Sequence, residues 1–188
     1  MAEHKIPVVD CGGRVDTIQR IVTDFGFKPL KLGLDEVSKA NHDEWAGVII
    51  SGSPTLLTET PYNEYLRSLR FIRTTSCPIL GICFGHQIIG LLHGATVFRG
   101  AECRANQNVE ILHCNTLFEG LETNLSLKED HCEGITLPTQ FVLLATSKSY
   151  TVEAMKHPDK DVYGVQFHPE ASGGVGQKIL GNFLRLCK

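Results

Sequence analysis

One cysteine of this sequence, Cys83, lies in a segment whose pattern is typical of turns that present a reactive side chain. Cys83 follows an apolar run, and Gly81 and Gly85 flank it at two positions on either side. This glycine-x-nucleophile-x-glycine spacing is typical of a sharp strand-to-helix turn, where glycines make room for a strained backbone. The N-terminus of the next helix favours a thiolate, and the Phe84 N–H is placed to serve an oxyanion hole. The segment predicts a nucleophile, although a buried cysteine in a glycine-containing turn would have the same pattern.

A histidine and a glutamate near the end of the chain supply what such a thiol needs. A cysteine nucleophile requires a general base, and the base requires a partner that orients it. His168 and Glu170 follow an apolar run, and their i, i+2 spacing places both side chains on one side of an extended chain. Pro169 disfavours helix at His168 and so favours that extended form. The spacing predicts a base and its orienting carboxylate; the alternative is a surface histidine near a strand end.

The elements that must position these residues alternate between strand and helix in the first half of the chain. Apolar runs predict strands at 6–10, 28–32, 47–51 and 78–82. Helical spacing predicts helices at 15–25, 62–72 and 84–92. This alternation indicates a parallel sheet with helices on both faces.

The second half of the sequence has a different pattern. Short apolar runs predict strands at 97–98, 108–112, 141–145, 152–155 and 162–167, and a last helix covers 175–187. Because no long helix separates these strands, they predict an antiparallel extension of the sheet. We therefore expect one α/β domain over residues 1–188, with three layers and a mostly parallel central sheet.

Composition and charge limit the functions that the chain can have. The net charge is -3 and lysines and arginines are dispersed, which argues against binding to nucleic acid or to an anionic membrane. The first residues lack a signal-peptide pattern and no apolar stretch could span a bilayer, so we expect a cytoplasmic protein. The 7 cysteines include no C-x-x-C pair, and neither His113-Cys114 nor His131-Cys132 has zinc-ligand spacing. We therefore predict no metal site.

Four blocks of the sequence carry a family resemblance. They are residues 49–54 (Ile-Ile-Ser-Gly-Ser-Pro), 81–87 (Gly-Ile-Cys-Phe-Gly-His-Gln), 152–157 (Val-Glu-Ala-Met-Lys-His) and 163–170 (Tyr-Gly-Val-Gln-Phe-His-Pro-Glu). In content, order and spacing the chain resembles the class I, triad-type glutamine amidotransferases. The third block is most similar to the glutaminase subunit or domain in the GMP synthetase branch. The resemblance covers nearly the whole chain and implies the flavodoxin-like fold of that family.

The resemblance also implies a role for particular residues. Cys83, His168 and Glu170 match the family's catalytic triad, and the backbone N–H groups of Ser53 and Phe84 match its oxyanion hole. The implied substrate-binding residues are Gly52, Gln87, Asp130, His131, Cys132 and Glu133, the last four forming a loop that grips the amino-acid head of the substrate.

The implied reaction is the hydrolysis of glutamine to glutamate and ammonia. The family resemblance implies no cofactor in this chain, and the ammonia would pass to an ATP-pyrophosphatase (synthetase) subunit that holds ATP and Mg²⁺, for GMP synthesis. No Gly-Lys-Ser/Thr phosphate loop is present here, consistent with ATP binding elsewhere. Two alternatives stay open at this point: a stand-alone cysteine hydrolase of γ-glutamyl amides or peptides, and a degenerate amidotransferase that binds a partner or ligand without turnover.

The chain departs from the family pattern at several positions near the predicted site. Ser53 replaces a glycine that is usual in the family, and it would be strained if its φ had to be positive. Residues 130–133 read Asp-His-Cys-Glu where the family usually has Ser-His-x-Asp. Arg14 and Val15 stand where a Gln-Tyr pair commonly follows the glycines, and residues 100–104 lack an acidic-aromatic motif. These departures concern substrate and partner contacts more than the triad.

Overall fold

The computed structural model describes residues 4–187, apart from the side chain of Asp43. Its eleven strands are β1 Lys5–Val9, β2 Lys28–Leu32, β3 Val48–Ile50, β4 Ile79–Ile82, β5 Val97–Cys103, β6 Asn106–Ile111, β7 Asn124–Lys128, β8 His131–Ile135, β9 Val142–Ser147, β10 Ala154–Lys156 and β11 Val162–Val165. Its α-helices are α1 Val15–Asp24, α2 Leu34–Lys39, α3 Asn63–Ser68, α4 Phe84–Leu92 and α5 Gly173–Leu184. The signal-peptide prediction rests partly on residues 1–3, which lie outside the described residues.

Nine of the strands form one mixed sheet, in the order β2-β1-β3-β4-β11-β10-β9-β6-β7. The neighbours from β2 to β11 pair in parallel, and the pairs from β11 to β7 are antiparallel. The remaining strands, β5 and β8, form a separate antiparallel pair. The predicted α/β fold, with a mostly parallel centre and an antiparallel extension, is confirmed.

The sheet is covered on both faces because neighbouring strand residues alternate between two cores. Val8 packs in a cluster with α1 and α5, whereas Val9 packs in a second cluster with residues of α2, α3 and α4. Ile49 and Ile50 on β3 divide in the same way. This alternation is what period-2 side-chain geometry requires of a strand buried on both faces.

Several elements differ from the sequence-based expectation. The helix predicted at 62–72 is shorter: α3 ends at Ser68, and a 3-10 turn, Arg70–Arg73, follows. The helix α2 and the strands β7 and β8 were not predicted, and β5 is longer than residues 97–98. Residues 131–133 belong to β8, so the prediction of a loop there was wrong. The segment is extended because His131 and Glu133 pair with Cys103 and Arg99 of β5.

The parallel register brings the site-forming segments to one edge of the sheet. On β4, Gly81 pairs with Ile50 of β3 and with Gly164 of β11. Parallel strands all end at the same edge, so the residues after β3, β4 and β11 meet there. Gly52, Cys83 and His168 each follow one of these strands. The topology therefore assembles the predicted site.

Among residues 4–187, no helix is both long enough and apolar enough to cross a membrane.

Candidate active site

Cys83 has the strained backbone that the glycine spacing predicted. Its φ of 50° and ψ of -101° make it the one non-glycine residue with positive φ among those the structure describes. A Cβ on Gly81 would lie 2.5 Å from the carbonyl carbon of Gly85, and a Cβ on Gly85 would lie 2.6 Å from the Ile50 carbonyl oxygen. Both separations are too short for any side chain. The flanking glycines therefore allow β4 and α4 to approach and hold the turn at Cys83.

His168 and Glu170 form a buried pair, but not on an extended chain. The Nδ1 atom of His168 lies 2.7 Å from Oε1 of Glu170. Residues Pro169–Ala171 form a 3-10 turn, with Pro169 as its first residue and His168 just before it. The expectation of an extended segment was wrong, because proline excludes helix at His168 but is well accepted where a helical turn begins. The turn curls the carboxylate back to the imidazole.

The His168 ring and Cys83 both lie against Gly52, and the second ring nitrogen is unpaired within the described residues. Nε2 is buried and has no hydrogen-bond partner among the described residues. A Cβ added to Gly52 would lie 3.1 Å from Cε1 of His168 and 3.7 Å from Cβ of Cys83. Gly52 thus separates the imidazole from the cysteine with no side chain of its own. Because Nδ1 is held by Glu170, Nε2 is the nitrogen that can exchange a proton with the thiol.

The thiol of Cys83 is held in its protonated form. Burial raises its pKa, and the carboxyl groups of Glu129 and Glu170 raise it further, while the Phe84 N–H lowers it. The N–H at the start of the helix acts in the predicted direction, but burial and the carboxyl groups of Glu129, Glu170 and Asp130 outweigh it, so the pKa is raised. A base must therefore take the proton when the sulfur attacks.

Gln166 is a contact of the thiol that the sequence analysis did not single out. Its Nε2 donates to Sγ of Cys83 at 3.5 Å, and its Oε1 accepts from Nε2 of Gln87 at 3.2 Å. The same Gln87 amide donates to the Glu133 carbonyl at 3.1 Å. Gln166 stands two residues before His168, so the period-2 rule applied to the final block would have identified it. These amides link the nucleophile to β8.

A small cavity of about 60 Å³ opens beside the thiol. It is lined by seven of the predicted residues: Ser53, Cys83, Gln87, Asp130, His131, Cys132 and Glu133. Ser53 does not have a positive φ, so serine is not strained there. A much larger cavity, about 870 Å³, lies between α2 and α3 and contains no cysteine. The smaller cavity is therefore where the chemistry-bearing residues converge.

Two of the predicted substrate-binding carboxylates already have protein partners. Asp130 accepts from Arg104 at 2.9 Å and from Arg14 at 3.0 Å, one arginine on each oxygen, and these arginines hold its pKa below the usual value despite some burial. Glu133 accepts from the N–H groups of Leu57 and Thr58 at 2.9 and 2.8 Å. Glu133 therefore anchors the loop that follows β3 and forms one wall of the cavity, while Asp130 and Arg104 present opposite charges at it.

A buried cluster of Glu129, His131 and Glu153 lies next to the cavity. His131 Nδ1 is 2.9 Å from the Glu133 carbonyl, which can only accept, so Nδ1 carries the hydrogen. Burial lowers the pKa of His131 and so favours a neutral ring, whose Nε2 accepts from a protonated carboxyl of Glu129, 2.8 Å away. Burial raises the pKa of both glutamates to about 8, in agreement with that assignment. One ligand atom from each of Glu129, His131 and Glu153 lies within 4.8 Å of the others, a spacing that could hold a metal ion, so the absence of a metal site stays a prediction.

Comparisons with known proteins show which family the chain is similar to. The chain is 39% identical over 158 residues to a subunit of glutamine-hydrolyzing GMP synthase from Methanothermobacter thermautotrophicus, covering 82% of the chain and 80% of that protein. It is 36% identical to the same-named protein of Pyrococcus abyssi, covering 97% and 98%.

The chain is also similar to solved structures of the same kind of protein. The crystal structure of a putative GMP synthase subunit from Thermoplasma acidophilum has a TM-score of 0.90 and 31% identity, covering 100% of this chain and 95% of that one. A glutamine amidotransferase from Thermotoga maritima, 17% identical, shares the fold with a TM-score of 0.85 and full coverage of both chains. The glutamine amidotransferase class-I family matches residues 8–187, and the chain belongs to that family.

Proposed function

We propose that this chain is the glutaminase subunit of a GMP synthetase, which hydrolyses glutamine to glutamate and ammonia through Cys83, His168 and Glu170. The observation that supports the triad best is the state of His168. Its Nδ1 is fixed by Glu170 at 2.7 Å, its buried Nε2 has no partner among the described residues, and its ring lies against Gly52, which Cys83 also adjoins. A base held in one orientation with one free nitrogen is what a protonated thiol requires.

The first half-reaction removes ammonia. His168 Nε2 takes the proton of Cys83, and the sulfur attacks the side-chain amide carbon of glutamine. The N–H groups of Ser53 and Phe84 stabilise the negative oxygen; the Phe84 N–H stands in the first turn of α4, where no helical carbonyl is available to it. The carbon–nitrogen bond then breaks, and His168 gives its proton to the departing nitrogen. A thioester on Cys83 remains.

The second half-reaction restores the enzyme. His168 accepts a proton from water, whose oxygen attacks the thioester carbon, and the proton returns to sulfur as the carbon–sulfur bond breaks. The products are glutamate and free Cys83. This sequence of steps consumes one water for each ammonia released and needs no metal or organic cofactor in this chain.

The amino-acid head of glutamine carries one positive and one negative charge. Asp130 and Arg104 line the cavity with opposite charges, so we assign the ammonium group to Asp130 and the carboxylate to Arg104. Gln87, His131 and Cys132 line the same cavity and complete its wall. Gly52 contributes by having no side chain between the thiol and the imidazole.

The relatives are named as one subunit of GMP synthase, which indicates a separate synthetase chain. We assign to this chain a partner ATP-pyrophosphatase subunit, which would hold ATP and Mg²⁺ and consume the ammonia. The partner's acceptor would be the nucleotide precursor of GMP, in keeping with the names of those relatives.

One assay tests the proposal. Glutamate release from glutamine would be measured for the purified chain alone and with the ATP-pyrophosphatase subunit of an archaeal GMP synthetase. Cys83→Ala removes the nucleophile, and Cys114→Ala, at an exposed cysteine, is the matched control. We expect activity in wild type and Cys114→Ala, and none in Cys83→Ala.

The outcomes separate the alternatives. Wild type that is as inactive as Cys83→Ala in both settings would contradict catalysis and favour a binding module. Equal rates on glutamine and γ-glutamyl peptides, unaffected by the partner, would favour a stand-alone hydrolase. Activity that rises when the partner is added would support an enzyme whose site is completed by assembly.

A further inference from the structure

Arg14 contacts two carboxylates that belong to different parts of the site. Its Nη2 donates to Oδ2 of Asp130 at 3.0 Å, and its Nη1 lies 3.9 Å from Oε1 of Glu170. Asp130 lines the cavity, whereas Glu170 is the buried partner of His168. The Arg14 guanidinium therefore links Asp130, which lines the cavity, to Glu170, which orients the base His168.

The backbone fixes Arg14 in this place. A Cβ on Gly13 would lie 2.5 Å from the carbonyl oxygen of Gly52, so the turn before α1 packs directly against the Gly52 segment. The N–H of Cys11 donates to Oγ of Ser51 at 3.0 Å, a second link between the two segments. Arg14 then stands at the N-terminal cap position of α1. Its position relative to Cys83 and His168 is set by backbone contact rather than by a flexible loop.

Glu170 needs a cation. Its side chain is 1% exposed, its Oε1 is bonded to His168, and its Oε2 has no hydrogen-bond partner within residues 4–187. Arg14 is the one arginine or lysine in that part of the chain that lies within ion-pair distance of it. A buried carboxylate with a single hydrogen bond is poorly compensated, so a guanidinium at 3.9 Å offsets part of its charge.

We propose that Arg14 is a positioning residue for the hydrolysis of glutamine, holding Glu170 for the triad and Asp130 for the substrate at the same time. This inference rests on the proposed function of the site. The two contacts have separate consequences. The contact with Glu170 acts on the orientation of His168 and hence on kcat, whereas the contact with Asp130 acts on the amino-acid head and hence on KM.

Four variants test this division. Arg14→Gln removes both contacts, and Arg14→Lys keeps a positive charge. Asp130→Asn weakens the pairing of Asp130 with Arg14 and Arg104 but leaves the contact between Arg14 and Glu170. Arg20→Gln, at an exposed arginine of the same helix, is the matched control. Steady-state kinetics on glutamine would be measured for each, in the presence of the partner subunit if wild type requires it, and thermal unfolding would establish that each is folded.

We expect kcat of Arg14→Gln to fall about tenfold and its KM to rise. Arg14→Lys should recover part of kcat, because it restores a positive charge near Glu170. Lysine has a single side-chain nitrogen, however, and cannot contact Glu170 and Asp130 with two separate nitrogens as the guanidinium does. Asp130→Asn should raise KM with a much smaller effect on kcat, and Arg20→Gln should match wild type. Values of kcat and KM within about twofold of wild type in folded Arg14→Gln would overturn the inference.

A second readout does not depend on turnover. The rate at which iodoacetamide alkylates Cys83, followed by mass spectrometry of its peptide, reports the thiolate fraction. Glu170 already raises the pKa of Cys83, so loss of the neighbouring cation should slow alkylation about threefold or more in Arg14→Gln. If wild type does not hydrolyse glutamine, the proposed function fails, yet the alkylation rate still decides whether Arg14 acts on Cys83, His168 and Glu170. An alkylation rate unchanged in Arg14→Gln would contradict the inference about Arg14.

Discussion

The two halves of the sheet contribute to the site in different ways. The parallel half places the nucleophile by backbone sterics: glycines meet backbone atoms at Gly81 and Gly85, and the strands are apolar. The antiparallel half and its edges supply the buried ionisable groups Glu129 and Glu153, and His168 follows β11, the strand that the two halves share. One half therefore fixes where the reaction occurs, and the other controls where its protons are. Substitutions in the first half should damage the fold, and isosteric substitutions in the second should change chemistry or pH response.

The largest effect is expected at the base. His168→Gln removes the proton acceptor of Cys83 and should lower kcat/KM about 10³-fold, because general base catalysis by one group is typically of this size. Its unfolding free energy, measured by urea titration, should stay within about 1 kcal/mol of wild type. A variant that lost activity because it failed to fold would break the distinction between the two halves.

Next in size is a change in the parallel half. Gly81→Ala would place a Cβ 2.5 Å from backbone atoms of Gly85 and should lower the unfolding free energy by about 3 kcal/mol or more. Gly174→Ala is the matched control, since a Cβ there meets nothing within 4 Å and alanine is favoured in a helix. Both would be followed by urea titration. A Gly81→Ala protein as stable as Gly174→Ala would show that the elbow has more room than the structure indicates.

A third prediction uses the pH dependence of the buried glutamates. The folded-state pKa of Glu129 is about 8, above its ordinary value of 4.5, so the folded state binds the proton more tightly. The contribution to the unfolding free energy therefore decreases as pH rises from about 4.5 to 8. Glu129→Gln should flatten this decrease, because its amide donates to His131 as the protonated carboxyl does.

At about pH 8 we expect Glu129→Gln to be more stable than wild type, by on the order of 2 kcal/mol. Urea titrations at about pH 5, 6.5 and 8 would show it, with Glu110→Gln, on the exposed side of β6, as the control. Parallel pH curves for Glu129→Gln and wild type would mean that Glu129 is ionised in the folded protein.

Much of this picture could be predicted from the sequence, for a physical reason. In the parallel half the strands are buried on both faces and read as continuous apolar runs, so β1, β3 and β4 were found close to their observed bounds. The turn at Cys83 was predictable because its glycine requirement is local. The strands of the antiparallel half and their buried polar residues were harder to predict. The strand β8 reads His-Cys-Glu-Gly-Ile, and its polar residues are buried only because β5, Glu129 and residues 57–58 satisfy them.

The protonation of the thiol could not be predicted for the same reason. A sequence shows that Cys83 precedes a helix, and a helix N-terminus lowers a thiol pKa. It does not show that Glu129 and Glu170, which are 46 and 87 residues away, lie close enough to raise it. Charges that act across the fold are visible only once the chain is assembled. Arg14 is a similar case, since its two carboxylates are distant in sequence.

The smallest effect is expected at a departure from the family pattern. Ser53→Gly should leave kcat/KM within about threefold of wild type, because Ser53 has a negative φ and loses only a side-chain hydrogen bond from the Thr55 N–H. Gly52→Ala is the contrasting variant: its Cβ would lie 3.1 Å from the His168 ring and should displace it, with a loss of about tenfold. Steady-state assays of both would compare a tolerant position with its intolerant neighbour. Equal losses of kcat/KM in the two variants would mean that the whole loop after β3, rather than Gly52 alone, tolerates no change.

The buried, protonated thiol has a consequence for the durability of the protein in an oxidising environment. Oxidation of cysteine follows thiolate character and access to solvent. Cys83 is 5% exposed and its pKa is raised, whereas Cys114 is exposed. Peroxide should therefore consume Cys114 first and leave the nucleophile intact. Because Cys83 becomes reactive only when His168 withdraws its proton, we expect the thiol to be oxidised slowly while no substrate is bound.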